Sequence, residues 1–224
     1  HSIIYLEDNL TAEEILSRIA NDISVCTNCA LHEGRKKSVP GDGPATAEIM
    51  FIGEGPGFHE NEQGRPFVGA AGKFLDQLLA QADVTRADVF IANVVKCRPP
   101  GNRDPLPEEL AACDLHLEAQ IKAINPSIIV TLGRFSMNKF ITGAKISAIH
   151  GQMQKVGERY VIPMFHPAAA LHQPPLKPSI LADFAKLPEQ LNEARAALGR
   201  EIVAVKKKVA AAPQDEKPQQ LSLF

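Results

Sequence analysis

The sequence has no apolar run long enough to span a bilayer, and no stretch reads as a signal peptide. A membrane-spanning or secreted protein is therefore not expected. Net charge is nearly absent too, since 24 basic against 26 acidic side chains leave −2. Any nucleic-acid partner must then be held by a local patch and not by overall charge. Cysteine is scarce, with four in 224 residues. A disulfide framework is not expected in a chain of this length without a secretion signal. Apolar residues are what the sequence has in quantity. At 45% they support a real core, and the length fits one domain with extensions.

The stretch Ile49-Met50-Phe51-Ile52-Gly53-Glu54-Gly55-Pro56-Gly57 organises the chain. Its four leading apolar residues predict a buried strand. The strand ends in a glycine-rich turn that permits close backbone approach and carries one carboxylate, Glu54. A second tight segment, Gly64-Arg65-Pro66-Phe67-Val68-Gly69, brings one aromatic ring. A helix is predicted over 70–81, with Phe74, Leu75, Leu78 and Leu79 on one face. Strand, glycine turn, acidic loop, aromatic and helix in this order build a pocket at the carboxyl end of an α/β sheet.

Around this centre the chain reads as follows. Thr11 caps a first helix whose first turn holds Glu13 and Glu14. That helix delivers the chain to Cys26-Thr27-Asn28-Cys29. A second strand is predicted over 89–95, with Asn93 its one polar side chain. An amide in such a run is either a satisfied core group or a ligand reader. A basic, proline-rich loop from Lys96 to Pro105 follows, and it contains Cys97. Pro107-Glu108-Glu109 opens a helix that carries Cys113 to about Ile124. A third strand covers 127–133, and a short helix 134–141. A small hairpin is expected from Ile149-His150-Gly151-Gln152 and the turn at Val156-Gly157-Glu158. The last strand, 160–165, ends in His166-Pro167, where a histidine stands at a strand's carboxyl end. Ser179 is expected to cap the next helix, and a helix from Pro188 is expected to extend toward Lys208.

Four strands alternating with helices predict an α/β fold. The expected form is a three-layer α/β/α sandwich on a central four-stranded, mostly parallel sheet covered on both faces. Glu54, Phe67, Asn93 and His166 would then share one edge of that sheet. Cys26, Cys29, Cys97 and Cys113 form one close pair and two distant singles, which points to one four-thiolate site. Their spacing alone leaves structural zinc and an iron–sulfur cluster about equally plausible.

The ordered motifs Gly53-Glu54-Gly55-Pro56-Gly57, Gly64-Arg65-Pro66-Phe67-Val68-Gly69, Asn93-Val94-Val95-Lys96-Cys97-Arg98-Pro99-Pro100 and His166-Pro167-Ala168 resemble those of the family-4 uracil-DNA glycosylases. The four cysteines stand where that family keeps its cluster ligands. The resemblance covers about Val25 to Leu187. It implies a [4Fe–4S] cluster on Cys26, Cys29, Cys97 and Cys113 and excision of uracil from single- or double-stranded DNA. A monomeric bacterial enzyme of the cytoplasm, associated with the nucleoid, is expected. The implied uracil pocket is Gly55, Glu60, Phe67, Asn93 and His166, with Glu54 and His166 catalytic and Glu60 placed against the base's C5. DNA contacts fall to Arg65, Asn102, Arg103, Leu171, His172 and Lys177. Two departures stand out: His172 occupies a position where the family usually has arginine, and His150 and Gln152 occupy a usually more basic pair. The first motif is not that of the covalent uracil-trapping relatives, which favours a turnover enzyme.

The residues suit that chemistry independently. A flipped base needs an aromatic face, which Phe67 offers, and an amide to read its edge. Asn93 can accept from uracil N3–H and donate to O4, and cytosine presents the opposite pattern. The division expected is a helical extension at 1–24, the glycosylase domain at 25–187, a helix at 188–210 and a disordered tail at 211–224. The final Gln220-Leu221-Ser222-Leu223-Phe224 resembles the bacterial sliding-clamp binding motif. The alternative in another class is a non-catalytic iron–sulfur DNA-binding module of a replication or repair complex.

Overall fold

The computed structural model describes residues 10–201. The helix α1 (Ala12–Val25) starts at a reciprocal capping box between Thr11 and Glu14. Each then satisfies a backbone N–H that the first turn leaves open. The strand β1 (Ile49–Gly53) leads through a short helix α2 (Phe58–Gln63) to α3 (Ala70–Gln81). Next come β2 (Val89–Asn93), α4 (Pro107–Ile124), β3 (Ile128–Leu132) and α5 (Arg134–Phe140). The chain continues through α6 (Ile146–Ile149), β4 (Gln154–Val156), β5 (Arg159–Met164), α7 (Pro167–His172), α8 (Lys177–Ala185) and α9 (Leu187–Ala197).

The sheet runs β2-β1-β3-β5-β4. The first four strands are parallel, and β4 pairs antiparallel with β5. The sandwich is as expected, with five strands where four were counted. The fifth is the hairpin's first arm, and it lies at Gln154–Val156 instead of near Ile149. Gly151 takes a positive φ of 69° and gives its N–H to the Pro163 carbonyl, so the chain turns there before it can pair as a strand.

Side-chain alternation along β1 explains the layers. Phe51 joins Leu75, Leu78, Val130, Ile162 and Phe184 on one face, under α3, α8 and α9. Met50 and Ile52 join Phe90, Leu117, Ile121 and Ile129 on the other, under α4. The parallel strands all end on one edge. There Gly53 lies beside Asn93, and Leu132 beside Met164.

Three boundaries differ from expectation by two residues or more. The strand β2 ends at Asn93, two residues early. Val94 and Val95 instead donate to the carbonyls of Gly53 and Glu54, so the two loops continue the pairing beyond the strands. The helix α8 starts at Lys177, with Pro178 in its first turn and Ser179 inside it, as proline's fixed φ allows. The helix α9 stops at Ala197 because Gly199 turns left-handed at φ 67° and Arg200 donates back to the Arg195 carbonyl. The positions 202–210 of the expected 188–210 helix, the 211–224 tail and its terminal pentapeptide lie outside the described residues. Among the described residues no helix is long and apolar enough to cross a membrane.

Candidate active site and thiol cluster

The carboxyl edge of the sheet opens into a cavity of about 530 Å³. Its lining includes Glu54 and Gly55 from the turn after β1, Glu60 from α2, Phe67, Asn93 at the end of β2, and His166 beyond β5. Five separate segments thus bring together all the residues expected at the base pocket.

Asn93 forms the floor. It is 2% exposed, and its Oδ1 is buried with no hydrogen-bond partner. Such an orphaned acceptor is costly unless a ligand donates to it. Gly53 leaves the space beside it. A Cβ there would lie 2.5 Å from Asn93 Oδ1 and 2.9 Å from the Phe67 ring. The wall is Phe67, buried and stacked at 5.4 Å on the His166 ring. Its backbone is left-handed, at φ 51°. Arg86 fastens it, with Nη1 donating to the Phe67 carbonyl at 3.0 Å and Nη2 to the Pro66 carbonyl. Asp76 accepts from the same guanidinium at 3.0 Å. Gly72 has to be glycine, because a Cβ would overlap the Phe67 carbonyl.

Glu60 ties the other side of this turn, its Oε1 accepting from the N–H groups of Val68 (2.9 Å) and Gly69 (3.0 Å). His166 caps α7, and its Nδ1 accepts from the Ala168 N–H at 3.1 Å. The acceptor role puts the proton of the neutral ring on Nε2. Burial drives the imidazole pKa down to about 4, with the Glu60 carboxylate opposing, so the ring stays neutral. Glu54 is half-buried, and its carboxyl is pushed up by burial first and then by Asp104, with Arg134 opposing.

The residues expected to meet DNA divide. Asn102, Arg103 and His172 line the same cavity. Arg103 holds the buried Glu109 carboxylate at 2.6 and 2.9 Å, which fixes the guanidinium. Arg65, Leu171 and Lys177 lie outside that lining. Arg65 pairs with Asp42, Lys177 sits over the Phe74 ring, and Leu171 is exposed on α7.

A second constellation lies where α1 and α4 meet the loop after β2. Cys26, Cys29, Cys97 and Cys113 are unbridged and line one small cavity of about 20 Å³. Three sulfurs have nitrogen neighbours. Arg35 Nη1 lies 3.6 Å from Cys97 Sγ, the Lys96 N–H 3.3 Å from Cys113 Sγ and His116 Nε2 3.4 Å from Cys26 Sγ. The Arg35 guanidinium also takes the carbonyls of Ser24 and Cys26, which hooks the end of α1 onto this site. Lys96 is fully buried with Nζ on Gln120, and desolvation lowers its ammonium to about 8. Burial pushes the Cys113 thiol up to about 11. Among the described residues no three His, Cys, Asp or Glu side chains gather closely enough to hold a single ion.

The sequence has relatives among known proteins. The model of the uracil DNA glycosylase superfamily matches residues 40–198. A type-4 uracil-DNA glycosylase of Archaeoglobus fulgidus is 45% identical over 186 residues, covering 79% of this chain and 93% of that protein. One from Thermotoga maritima is 46% identical over 164 residues, covering 72% and 85%. The chain belongs to the type-4 family of the uracil-DNA glycosylase superfamily. Another type-4 glycosylase, from Saccharolobus solfataricus, is 43% identical over 192 residues, covering 79% and 87%.

Arg86, Gly72 and Arg35 escape a reading of the sequence. Each acts on backbone carbonyls, a backbone turn or a sulfur remote in sequence, and no spacing pattern marks such partners.

Proposed function

We propose that this protein is a uracil-DNA glycosylase. It takes uracil flipped out of DNA and hydrolyses the N-glycosidic bond, opening base excision repair of deaminated cytosine. The observation that carries this reading is the buried, unpartnered Asn93 Oδ1 on the floor of a cavity walled by an aromatic ring. Uracil supplies the missing donor from N3–H, and the Asn93 amide N–H₂ can donate to O4. Cytosine has no proton at N3, so the acceptor would stay orphaned and cytosine would be rejected.

Bond cleavage leaves negative charge on the base. A neutral His166 with its proton on Nε2 is a donor for O2, and it makes that bond most strongly as charge develops. Its low pKa suits this role, because the ring offers the hydrogen bond without first becoming a cation. Glu54 orients the attacking water on the other face of the sugar, with Gly55 backbone beside it. Glu60 stands against C5. In this reading Asn102, Arg103 and His172 meet DNA at the rim, with Arg65, Leu171 and Lys177 further out.

The thiol set fits a [4Fe–4S] cluster. Cys26, Cys29, Cys97 and Cys113 line one cavity, and four thiolates are the ligand set such a cluster takes. Such a cluster, once bound, joins the N-terminal helix to the sheet domain. Arg35 and the Lys96 backbone N–H donate to the Cys97 and Cys113 sulfurs, and each bond favours thiolate there. We further propose the division 1–24, 25–187, 188–210 and 211–224, a monomer acting near bacterial DNA, and a sliding clamp as partner of Gln220-Leu221-Ser222-Leu223-Phe224.

The deciding assay is release of free uracil from a uracil-containing oligonucleotide by the full chain. Release with an intact abasic product is expected. Tight binding without release would replace the enzyme with a DNA-binding module. Deletion of 220–224 is expected to abolish clamp binding in calorimetry and leave uracil release from a short oligonucleotide unchanged.

A further inference from the structure

Among the described residues five large apolar side chains are exposed: Val25, Phe58, Leu106, Leu171 and Leu198. Phe58 alone among them lines the cavity. It opens α2 directly after the glycine turn and keeps 54% of its surface in solvent. Its surroundings are ordered. The Arg98 guanidinium lies 5.4 Å over the ring centroid, and the His59 ring meets it edge-on at 5.4 Å. Arg98 is itself held, its Nε donating to Asn102 Oδ1 at 2.7 Å. Asn102 adopts a left-handed backbone at φ 56° in the same cavity wall. An exposed phenyl ring backed by a fixed cation at a nucleotide pocket's mouth has the make-up of a base-stacking platform. Every base has a π-face for the ring, and the connecting phosphate suits the cation.

We propose that Phe58, braced by Arg98, stacks an unpaired base that flanks the uracil, and so gives this enzyme a preference for single-stranded substrate. In duplex DNA the neighbours of a flipped uracil stay paired and stacked, so they are not free to reach the ring. In a single strand they splay out, and stacking on an aromatic side chain rewards them. The proposal rests on the uracil-excision reading, because it takes the cavity to hold the flipped base.

The test uses the full chain with Phe58→Ala and Phe58→Trp. Single-turnover uracil release is followed against enzyme concentration on one oligonucleotide, alone and annealed to its complement. Phe58→Ala is expected to raise the half-saturating concentration on the single strand roughly tenfold, as for a lost base–aromatic stack. The loss on duplex is expected to be at least fivefold smaller. Phe58→Trp should recover the single-strand value. A single strand with abasic sites on both sides of the uracil should bind wild type as weakly as the intact strand binds Phe58→Ala. Equal losses on both substrates, or wild type indifferent to the flanking abasic sites, would overturn the platform. Absence of uracil release by wild type on either substrate would overturn the glycosylase reading itself, a separate outcome.

Discussion

Two cavities of similar size open at opposite edges of the same sheet. The carboxyl-edge cavity holds about 530 Å³, and the amino-edge cavity, lined by Ile129, Tyr160, Lys122, Lys155, Arg159 and Arg200 among others, about 670 Å³. The larger one carries more cations, yet both of its arginines serve the fold. Arg200 donates to Ser127 Oγ at 2.8 Å and to the Asn125 carbonyl at 2.9 Å, and Arg159 pairs with Glu118 at 3.2 Å. Lys122 sits in the last turn of α4, where a positive charge offsets the helix dipole. Among the described residues no buried, unpartnered side-chain atom lines that cavity, whereas Asn93 Oδ1 lines the other. On the proposed reading, the site is marked by neither volume nor charge but by an unmet hydrogen bond next to a prepared aromatic wall.

The comparison can be broken by experiment. Asn93→Ala removes the unmet group, and single-turnover uracil excision is expected to fall by about 10³-fold with the fold unchanged by circular dichroism. A near wild-type rate would reduce the carboxyl edge to the standing of the amino edge. His166→Ala is expected to lower the chemical step about 10²-fold with DNA affinity nearly constant, as for a donor used in the transition state. Equal losses in binding and rate would make it a DNA contact.

The pH profile gives a smaller, sharper test. The pKa of Glu54 is raised, so its carboxylate is lost as pH falls through a value above the ordinary glutamate range. Excision should therefore weaken on the acid side earlier than a solvated glutamate would require. Glu54→Gln should lower the rate and abolish that limb. His166, held down at about 4, stays neutral across this window and does not supply the limb. A limb that persists in Glu54→Gln would assign the titration elsewhere. At the amino edge, Lys155→Ala with Arg159→Ala is expected to leave excision within about twofold of wild type, as surface changes usually do. A large loss there would show that the second cavity takes part.

How much of this was legible in the sequence follows from how each part is held together. The four parallel strands are continuous apolar runs because both faces of the sheet are covered, so their positions read directly. The edge strand β4 is three residues long and partly exposed, and its Gln-Lys-Val leaves no such run. The helix α2 was hidden as well, since Phe58-His59-Glu60-Asn61-Glu62-Gln63 has no helical apolar period. Val94 and Val95 look like strand but lie past the end of β2, donating to the carbonyls of Gly53 and Glu54. At the site, Asn93 was conspicuous as a lone amide in an apolar run. Its orphaned Oδ1, the tautomer of His166 and the clamp made by Arg86 depend on three-dimensional neighbours, which no linear pattern encodes.

The left-handed backbone of Phe67 bears on timing. A non-glycine residue in that state gives up about 1–2 kcal/mol, and here the cost is met on folding, through the Arg86 bonds to the carbonyls of Pro66 and Phe67. The aromatic wall stands before any guest arrives. On the proposed reading, little of the ordering of this wall is left to be done when a base arrives, so the strain is met once per folding and not once per turnover.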